Sequence, residues 1–428
     1  MKPKANPKLS AAKLQGTSRL LVDGIAGITG IVEELHRQIV SVAGAIPSKG
    51  KASGRTQGIT GLVYKSVRGV TNVVGVGLEG AFTAYEKLAP LMVGPDGDMG
   101  SDVFSGRGAA LSALNGVFGD YLAETGNPLA IPMQLHDERK KLVVEPDALT
   151  GNIAKSSGKV LVLVHGLCMN DLQWNRDGHD HGISLAANLG YTPLYLNYNS
   201  GRRIALNGEN FAVMLEQLVQ QWPVPVTELA IIGHSMGGLV ARTACEFART
   251  TNQTWLKRLK KLIFLGTPHH GAPLERAGHW VDILLGMNPY SAPFVKLGAV
   301  RSTGIKDLGH GTIVVGSHSA TDSQPRNDRS IMHAVKLPIG VKCFFIAATK
   351  SINVDTNAGP QRVPVGSGKR LSGDGLVPVN SALGIHKNAA LTFKIQPSRR
   401  KIFYGLDHFD LLSSREVYDQ IYRWLAKQ

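Results

Sequence analysis

Residues 231–238 read Ile-Ile-Gly-His-Ser-Met-Gly-Gly, a Gly-x-Ser-x-Gly pattern centred on Ser235. The motif closes an apolar run, Leu229–Ile232, and opens a helix-like one. Strand, sharp turn and helix are the context that gives such a motif chemistry. The serine then sits on a strained turn between residues without bulk, and its hydroxyl projects above a sheet. In that setting Ser235 is a nucleophile for acyl transfer. The chain holds 49 glycines, enough for the pattern to arise by coincidence, so the reading depends on the partners that a serine nucleophile needs.

Those partners are a base, an acid that orients the base, and donors for a developing oxyanion. An apolar run ends in Val162-Leu163-Val164-His165-Gly166-Leu167-Cys168. A His-Gly after an early strand lets the backbone turn, so that the Leu167 amide can face a substrate oxygen. The amide of Met236, the residue after the nucleophile, is the second expected donor. Downstream, Gly373-Asp374-Gly375-Leu376-Val377-Pro378 offers Asp374 on a tight loop as the acid. His408 follows the last strand candidate and precedes the last helix, which is the place for the base. Asp407 and Asp410 compete for the acid role but lie too close in sequence to reach the imidazole easily from the required side. His234 adjoins the nucleophile and points away from it, so it reads as structural. The pair His269-His270 lacks metal spacing and reads as a turn at the pocket rim. His179-Asp180-His181 mimics a metal cluster without a further ligand in pattern, and reads as a surface loop.

Taken together, Leu163-Val164-His165-Gly166, Gly233-His234-Ser235-Met236-Gly237-Gly238, Gly266-Thr267-Pro268-His269-His270-Gly271, Gly373-Asp374-Gly375-Leu376-Val377-Pro378 and Asp407-His408 resemble the α/β-hydrolase superfamily of serine esterases and lipases. More narrowly, the chain is similar to GPI inositol-deacylase-like proteins and bacterial triacylglycerol lipases. The resemblance implies a Ser235, Asp374 and His408 triad and hydrolysis of a carboxylic ester through an acyl-enzyme. It leaves open an acyltransferase with the same triad, and a membrane-associated scaffold without turnover. Some bacterial lipases of this group hold calcium near the acid loop. No clear second carboxylate stands there in this chain, so no metal and no cofactor is expected.

The elements that must position these residues are legible in outline. Met133–His136 and Lys141–Val144 read as a hairpin. Lys159–Val164, Thr192–Tyr198, Glu228–Ile232, Lys261–Leu265, Val341–Ala347 and Lys401–Tyr404 read as strands. Helices Asn207–Trp222, Ser235–Arg249 and Ser414–Leu425 intervene. The alternation predicts an α/β fold, a mostly parallel sheet flanked by helices, over residues 128–428. Residues 271–340 interrupt the rhythm as a lid-like insertion. Within it Trp280 and Leu284 belong to one apolar run and are candidate substrate-binding residues. Residues 1–127 form a helical, basic region. Its apolar stripes run from Leu21 to Val42, from Ile59 to Leu78, and through Ala110, Leu114, Val117 and Tyr121, as expected for helices that pack together or offer a face to a membrane or to the catalytic domain.

The charge is uneven. The chain carries +15 over 428 residues, and its first 70 residues set eleven Lys and Arg against three Asp and Glu, a local excess of +8. That favours an anionic partner such as a membrane surface. Zinc-finger, RNP and helix-turn-helix signatures are missing, so a nucleic acid is not expected. With 43% hydrophobic residues a large core is within reach. Cys168, Cys245 and Cys343 lie in or beside apolar runs and read as buried thiols. The sequence shows no signal-peptide pattern and no apolar run of transmembrane length, so the expected location is the cytoplasm or the inner membrane surface.

Overall fold

A computed structural model describes residues 101–137, 140–142, 156–271, 302–310, 335–356, 359–363 and 373–427. The first two N-terminal stripes, Trp280 and Leu284 lie outside the described residues. Contacts divide the chain into two units, residues 1–100 with 122–130, and residues 101–121 with 131–428. In the smaller unit the described part is the last helical residues, 122–124, and the turn that follows them. Asn127 N–H donates to the Leu122 carbonyl (2.8 Å), and its side-chain oxygen accepts from Leu129 N–H (2.9 Å).

The larger unit is built on an eight-stranded sheet. Helix α1 (Ser101–Glu124) precedes an antiparallel pair, β1 (Gln134–Asp137) and β2 (Lys140–Lys141). The series then runs β3 (Lys159–Val164), α2 (His181–Leu189), β4 (Thr192–Asn197), α3 (Ile204–Gln221), β5 (Glu228–His234), α4 (Met236–Thr250) and β6 (Leu259–Leu265). After α5 (Thr303–His310) come β7 (Lys342–Thr349), a separate antiparallel hairpin of β8 (Ile352–Thr356) and β9 (Gly359–Val363), the short α6 (Val379–Ala382), β10 (Arg400–Tyr404) and α7 (Arg415–Ala426). The order across the sheet is β10-β7-β6-β5-β3-β4-β1-β2. The six strands from β10 to β4 are parallel, and β1 runs antiparallel to β4.

Parallel strands covered on both faces must be apolar at nearly every position. Val160 through Val164 and Leu229 through Ile232 are fully buried. Helices α3 and α4 supply one covering face, with Phe211, Leu215 and Leu218 on the first and Leu239, Val240 and Ala244 on the second, all buried. Burying each such leucine or phenylalanine contributes about 1.5–3 kcal/mol. Helix α2 begins at Asp180, whose carboxylate accepts from Ile183 N–H (3.0 Å), and ends at Gly190 in the left-handed region (φ 71°); capping of this kind stabilises a helix by about 1 kcal/mol.

The sheet winds outward from β3. The chain goes from β3 to β4 on one side, then crosses to β5, β6, β7 and β10 on the other. The carboxyl ends of β3 and β5 therefore flank the switch point, where open α/β sheets place their ligands. Register makes this local: Val164 lies opposite Gly233, and His234 opposite Leu265. The turns that follow Val164, His234 and Leu265 thus emerge side by side.

Candidate active site

Ser235 occupies the tight turn between β5 and α4. Its backbone has φ 52° and ψ −123°, a conformation sterically costly for any residue with a Cβ. Ser235 N–H donates to the Leu265 carbonyl (2.8 Å), and its own carbonyl accepts from Gly238 N–H (3.1 Å). The turn is possible because its neighbours lack side chains. A Cβ on Gly237 would collide with the Val164 carbonyl oxygen and lie 2.5 Å from that of His165. Helix α4 can thus start directly above the ends of β3 and β5. Met236, its first residue, is fully buried, so its amide lies in the helix N-terminal turn, where partial positive charge gathers.

The turn after β3 presses on the same point. A Cβ on Gly166 would sit 3.1 Å from Ser235 Cβ. His165, fully buried, turns Nδ1 to the Gly166 carbonyl (2.8 Å) and stacks on Tyr198 at 4.4 Å between ring centroids. Nδ1 is therefore the donor, and Nε2 accepts from Tyr198 N–H (3.4 Å). Burial pushes the imidazole down to about 4, so it stays neutral in this tautomer. In a trans peptide C=O and N–H point oppositely. Fixing the Gly166 carbonyl therefore also fixes the direction of the Leu167 amide. Leu167 itself is buried.

Asp374 and His408 meet although 34 residues separate them. His408 Nδ1 lies 2.7 Å from Asp374 Oδ2, and His408 N–H donates to the Asp374 carbonyl (3.1 Å). Asp374 Oδ1 accepts from the amides of Leu376 (2.9 Å) and Val377 (2.6 Å). Both flanking glycines take positive φ, 87° at Gly373 and 99° at Gly375, so the loop can close around its own carboxylate. Both side chains are buried, as is Ser235. The carboxylate fixes the proton on His408 Nδ1 and leaves Nε2 as the basic nitrogen.

The rival acids are engaged elsewhere. Asp407 Oδ1 accepts from Phe409 N–H (2.8 Å) and Asp410 N–H (3.0 Å), while Asp410 Oδ2 accepts from Asp407 N–H (2.7 Å). They shape the turn that presents His408. Gly266 passes the other side of that ring, since a Cβ there would lie 3.0 Å from His408 Cε1 and Nδ1.

Two histidines take positions that their spacing did not disclose. His234 Nε2 donates to the His408 main-chain oxygen (3.1 Å), and the two rings lie 4.6 Å apart. Burial first, and then the neighbouring His408, hold its imidazole well below 6.5. His269 is buried behind the site among Phe264, Phe345 and Phe393, with Nδ1 accepting from Arg242 Nη1 (3.2 Å). Arg242 reaches the Val335 carbonyl as well (2.6 Å) and lies over the Phe393 ring at 4.7 Å. The pair pins the Gly266–His269 segment to helix α4.

The reading of His179-Asp180-His181 as a surface loop is corrected. His181 is fully buried as the first residue of α2 and donates from Nε2 to the Leu411 carbonyl (2.9 Å). Asp180 is the helix cap and accepts from the Tyr195 hydroxyl (2.7 Å). Cys168, Cys245 and Cys343 are free and buried, as their apolar surroundings suggested. Burial raises the Cys168 and Cys343 thiols to about 12. Among the described residues no group of three or more His, Cys, Asp or Glu side chains forms a metal-ion site, and no helix is long and apolar enough to cross a membrane.

Residues 155–358 match the family described as the PGAP1-like alpha/beta domain. That segment runs from the approach to β3 through β8 and includes Ser235. No curated protein matches the chain. Among solved structures, the chain is similar to the mature lipase BlEst2 of Bacillus licheniformis at 17% identity, TM-score 0.41, over 69% of this chain and 98% of that one. The Pyrococcus furiosus esterase Pf2001 is similar at 15% identity, TM-score 0.36, over 63% and 83%. Aspergillus fumigatus lipase B is similar at 12% identity, TM-score 0.36, over 67% and 59%. The sheet order and the matched segment give the α/β-hydrolase fold, a mostly parallel sheet flanked by helices.

Proposed function

We propose that this chain is a serine hydrolase that cleaves carboxylic esters, with Ser235 as nucleophile, His408 as general base and Asp374 as the acid that orients it. The observation that carries the proposal is the buried 2.7 Å contact between His408 Nδ1 and Asp374 Oδ2, in loops that, like the turn holding Ser235 at φ 52°, follow the carboxyl ends of parallel strands. Ser235 Oγ attacks the ester carbonyl carbon while its proton passes to His408 Nε2. The carbonyl π electrons move to oxygen, and the amides of Leu167 and Met236 receive that charge. The tetrahedral adduct collapses and expels the alkoxide, which takes the proton from Nε2. Water, deprotonated by the same nitrogen, then attacks the acyl-enzyme; the acid leaves and Oγ is reprotonated.

An apolar ester is the preferred substrate class. That part rests on the apolar run of Trp280 and Leu284 in the insertion, and on the basic first 70 residues, which suit an anionic lipid surface. A chain-length series of p-nitrophenyl esters, run on the wild type and on Ser235→Ala, tests the function. The expected result is turnover by the wild type that rises with acyl length, and loss of about 10⁵-fold or more in kcat in the variant. Equal turnover by the two proteins would reject Ser235. Co-sedimentation of the full chain with anionic vesicles, before and after Lys2, Lys4, Lys8 and Lys13 are changed to Gln, tests the surface. Unchanged binding would reject those lysines as its anchor.

A further inference from the structure

Helix α1 lies outside the matched segment 155–358, yet its middle turns are fitted against the loop that carries the Leu167 amide. The contact is too close for a side chain. A Cβ on Gly116 would collide with Cys168 Sγ, and it would lie 3.0 Å from Cys168 Cα and 3.1 Å from Cys168 Cβ. One turn later, a Cβ on Gly119 would collide with Asn199 Oδ1, and Asn199 Nδ2 donates to the Gly119 carbonyl (2.8 Å). Cys168, the residue after Leu167, stands at φ 59°, and its N–H donates to Ser200 Oγ (3.0 Å). A residue with a side chain persists in that conformation only where its surroundings over-determine it. From the far side, Ser302 Oγ donates to the Gly116 carbonyl (2.6 Å), and Thr303 N–H donates to Asp120 Oδ2 (2.7 Å).

We infer that helix α1 is a positioning element of the hydrolase itself: Gly116 lets it seat against Cys168, hold that residue left-handed, and so keep the Leu167 amide aimed at the oxyanion. The inference rests on the serine-hydrolase reading above. It makes one turn of α1, Gly116–Gly119, ahead of the matched segment, a positioning part of the site, so that without it the Leu167 amide is misaligned. The role assigned to Gly116 is exercised through Cys168.

The test uses the full chain and p-nitrophenyl butyrate. Gly116→Ala is expected to lower kcat about tenfold or more with KM within about threefold, since an oxyanion donor acts on the transition state and not on the ground state. Gly108→Ala, on the same helix with its Cβ in ordinary contact at 3.4 Å from Asn170 Nδ2, is expected to leave both constants unchanged. Adding Cys168→Gly to Gly116→Ala removes the Sγ that the new methyl strikes and the Cβ beside it, leaves only Cα at 3.0 Å, and puts a residue at ease at φ 59°, so most of the lost kcat is expected to return. Wild-type kcat in folded Gly116→Ala, or a loss that Cys168→Gly does not repair, overturns the inference. If Gly116→Ala does not fold, Ser302→Ala removes the strut on the Gly116 carbonyl (2.6 Å) together with a longer contact to Ile305 N–H (3.4 Å). It is expected to lower kcat at unchanged KM, and an unchanged kcat there overturns the inference equally. Failure of the underlying reading is distinguishable, because it would appear as turnover by Ser235→Ala or none by the wild type.

Discussion

His234 Nε2 donates a hydrogen bond of 3.1 Å to the main-chain oxygen of His408, and the two imidazoles lie 4.6 Å apart. The residue that immediately precedes the candidate nucleophile thus holds the backbone of the candidate base. One strand end, β5, carries Ser235 and also sets where the loop after β10 can stand. The bond is buried on both sides, so water cannot replace the lost donor.

His234→Phe keeps a ring of similar size against His408 and Phe409 and removes the donor. A buried hydrogen bond of this kind is worth about 1 kcal/mol. The expected result is a fall in kcat of about five- to tenfold with little change in KM, because substrate is not touched. Steady-state kinetics on folded protein checks this; a raised KM at constant kcat would instead make His234 part of the binding surface.

Asp374 and Asp407 separate the acid from its sequence neighbour. Asp374→Asn is expected to lower kcat on the order of 10⁴-fold, since an amide no longer enforces the Nδ1–H tautomer. Asp407→Asn loosens the turn around Phe409 and Asp410 and is expected to cost thermal stability more than kcat. The paired kinetic and melting measurements decide. A larger kcat loss in Asp407→Asn would move the acid role to that residue.

Buried neutral histidines make stability fall in mild acid. Burial pushes the imidazoles of His165 and His181 from 6.5 down to about 4, and it also holds those of His234 and His269 well below 6.5. Above pH 6.5 neither the folded nor the unfolded chain is protonated at these sites, and their contribution is fully present. Between pH 6.5 and about 4 the unfolded chain binds protons at His165 and His181 that the folded chain refuses, and His234 and His269 act in the same direction. Each such histidine then removes about 1.4 kcal/mol of stability per pH unit. Urea unfolding is expected to show a midpoint that drops steadily from pH 7 to pH 5. A flat midpoint over that interval would mean that these side chains are not held neutral.

Much of this architecture is legible in the sequence, and the reasons differ by element. Lys159–Val164 and Glu228–Ile232 are continuous apolar runs because both faces of the central strands are covered, so their reading needs no tertiary information. Ser235, Asp374 and His408 are candidates by motif order and local turn chemistry, and the structure sets His408 Nδ1 2.7 Å from Asp374 Oδ2. The hairpin of β8 and β9 is not legible, because Pro360 within its second strand argues against a strand; the structure pairs it with Asp355 in a two-stranded sheet. The stripe through Leu114 and Val117 announces a helix but not its partner. Gly116 and Gly119 permit the close approach, but small residues alone do not say what approaches. The burial of His181 is a long-range matter, since Leu411, its acceptor, lies 230 residues away.

The most direct measurement is mass mapping after treatment with an active-site fluorophosphonate. The account predicts one covalent adduct, on Ser235, formed by the wild type, abolished in Ser235→Ala and strongly slowed in His408→Ala. Folded wild-type protein that takes no label, or label that persists in Ser235→Ala, would contradict it.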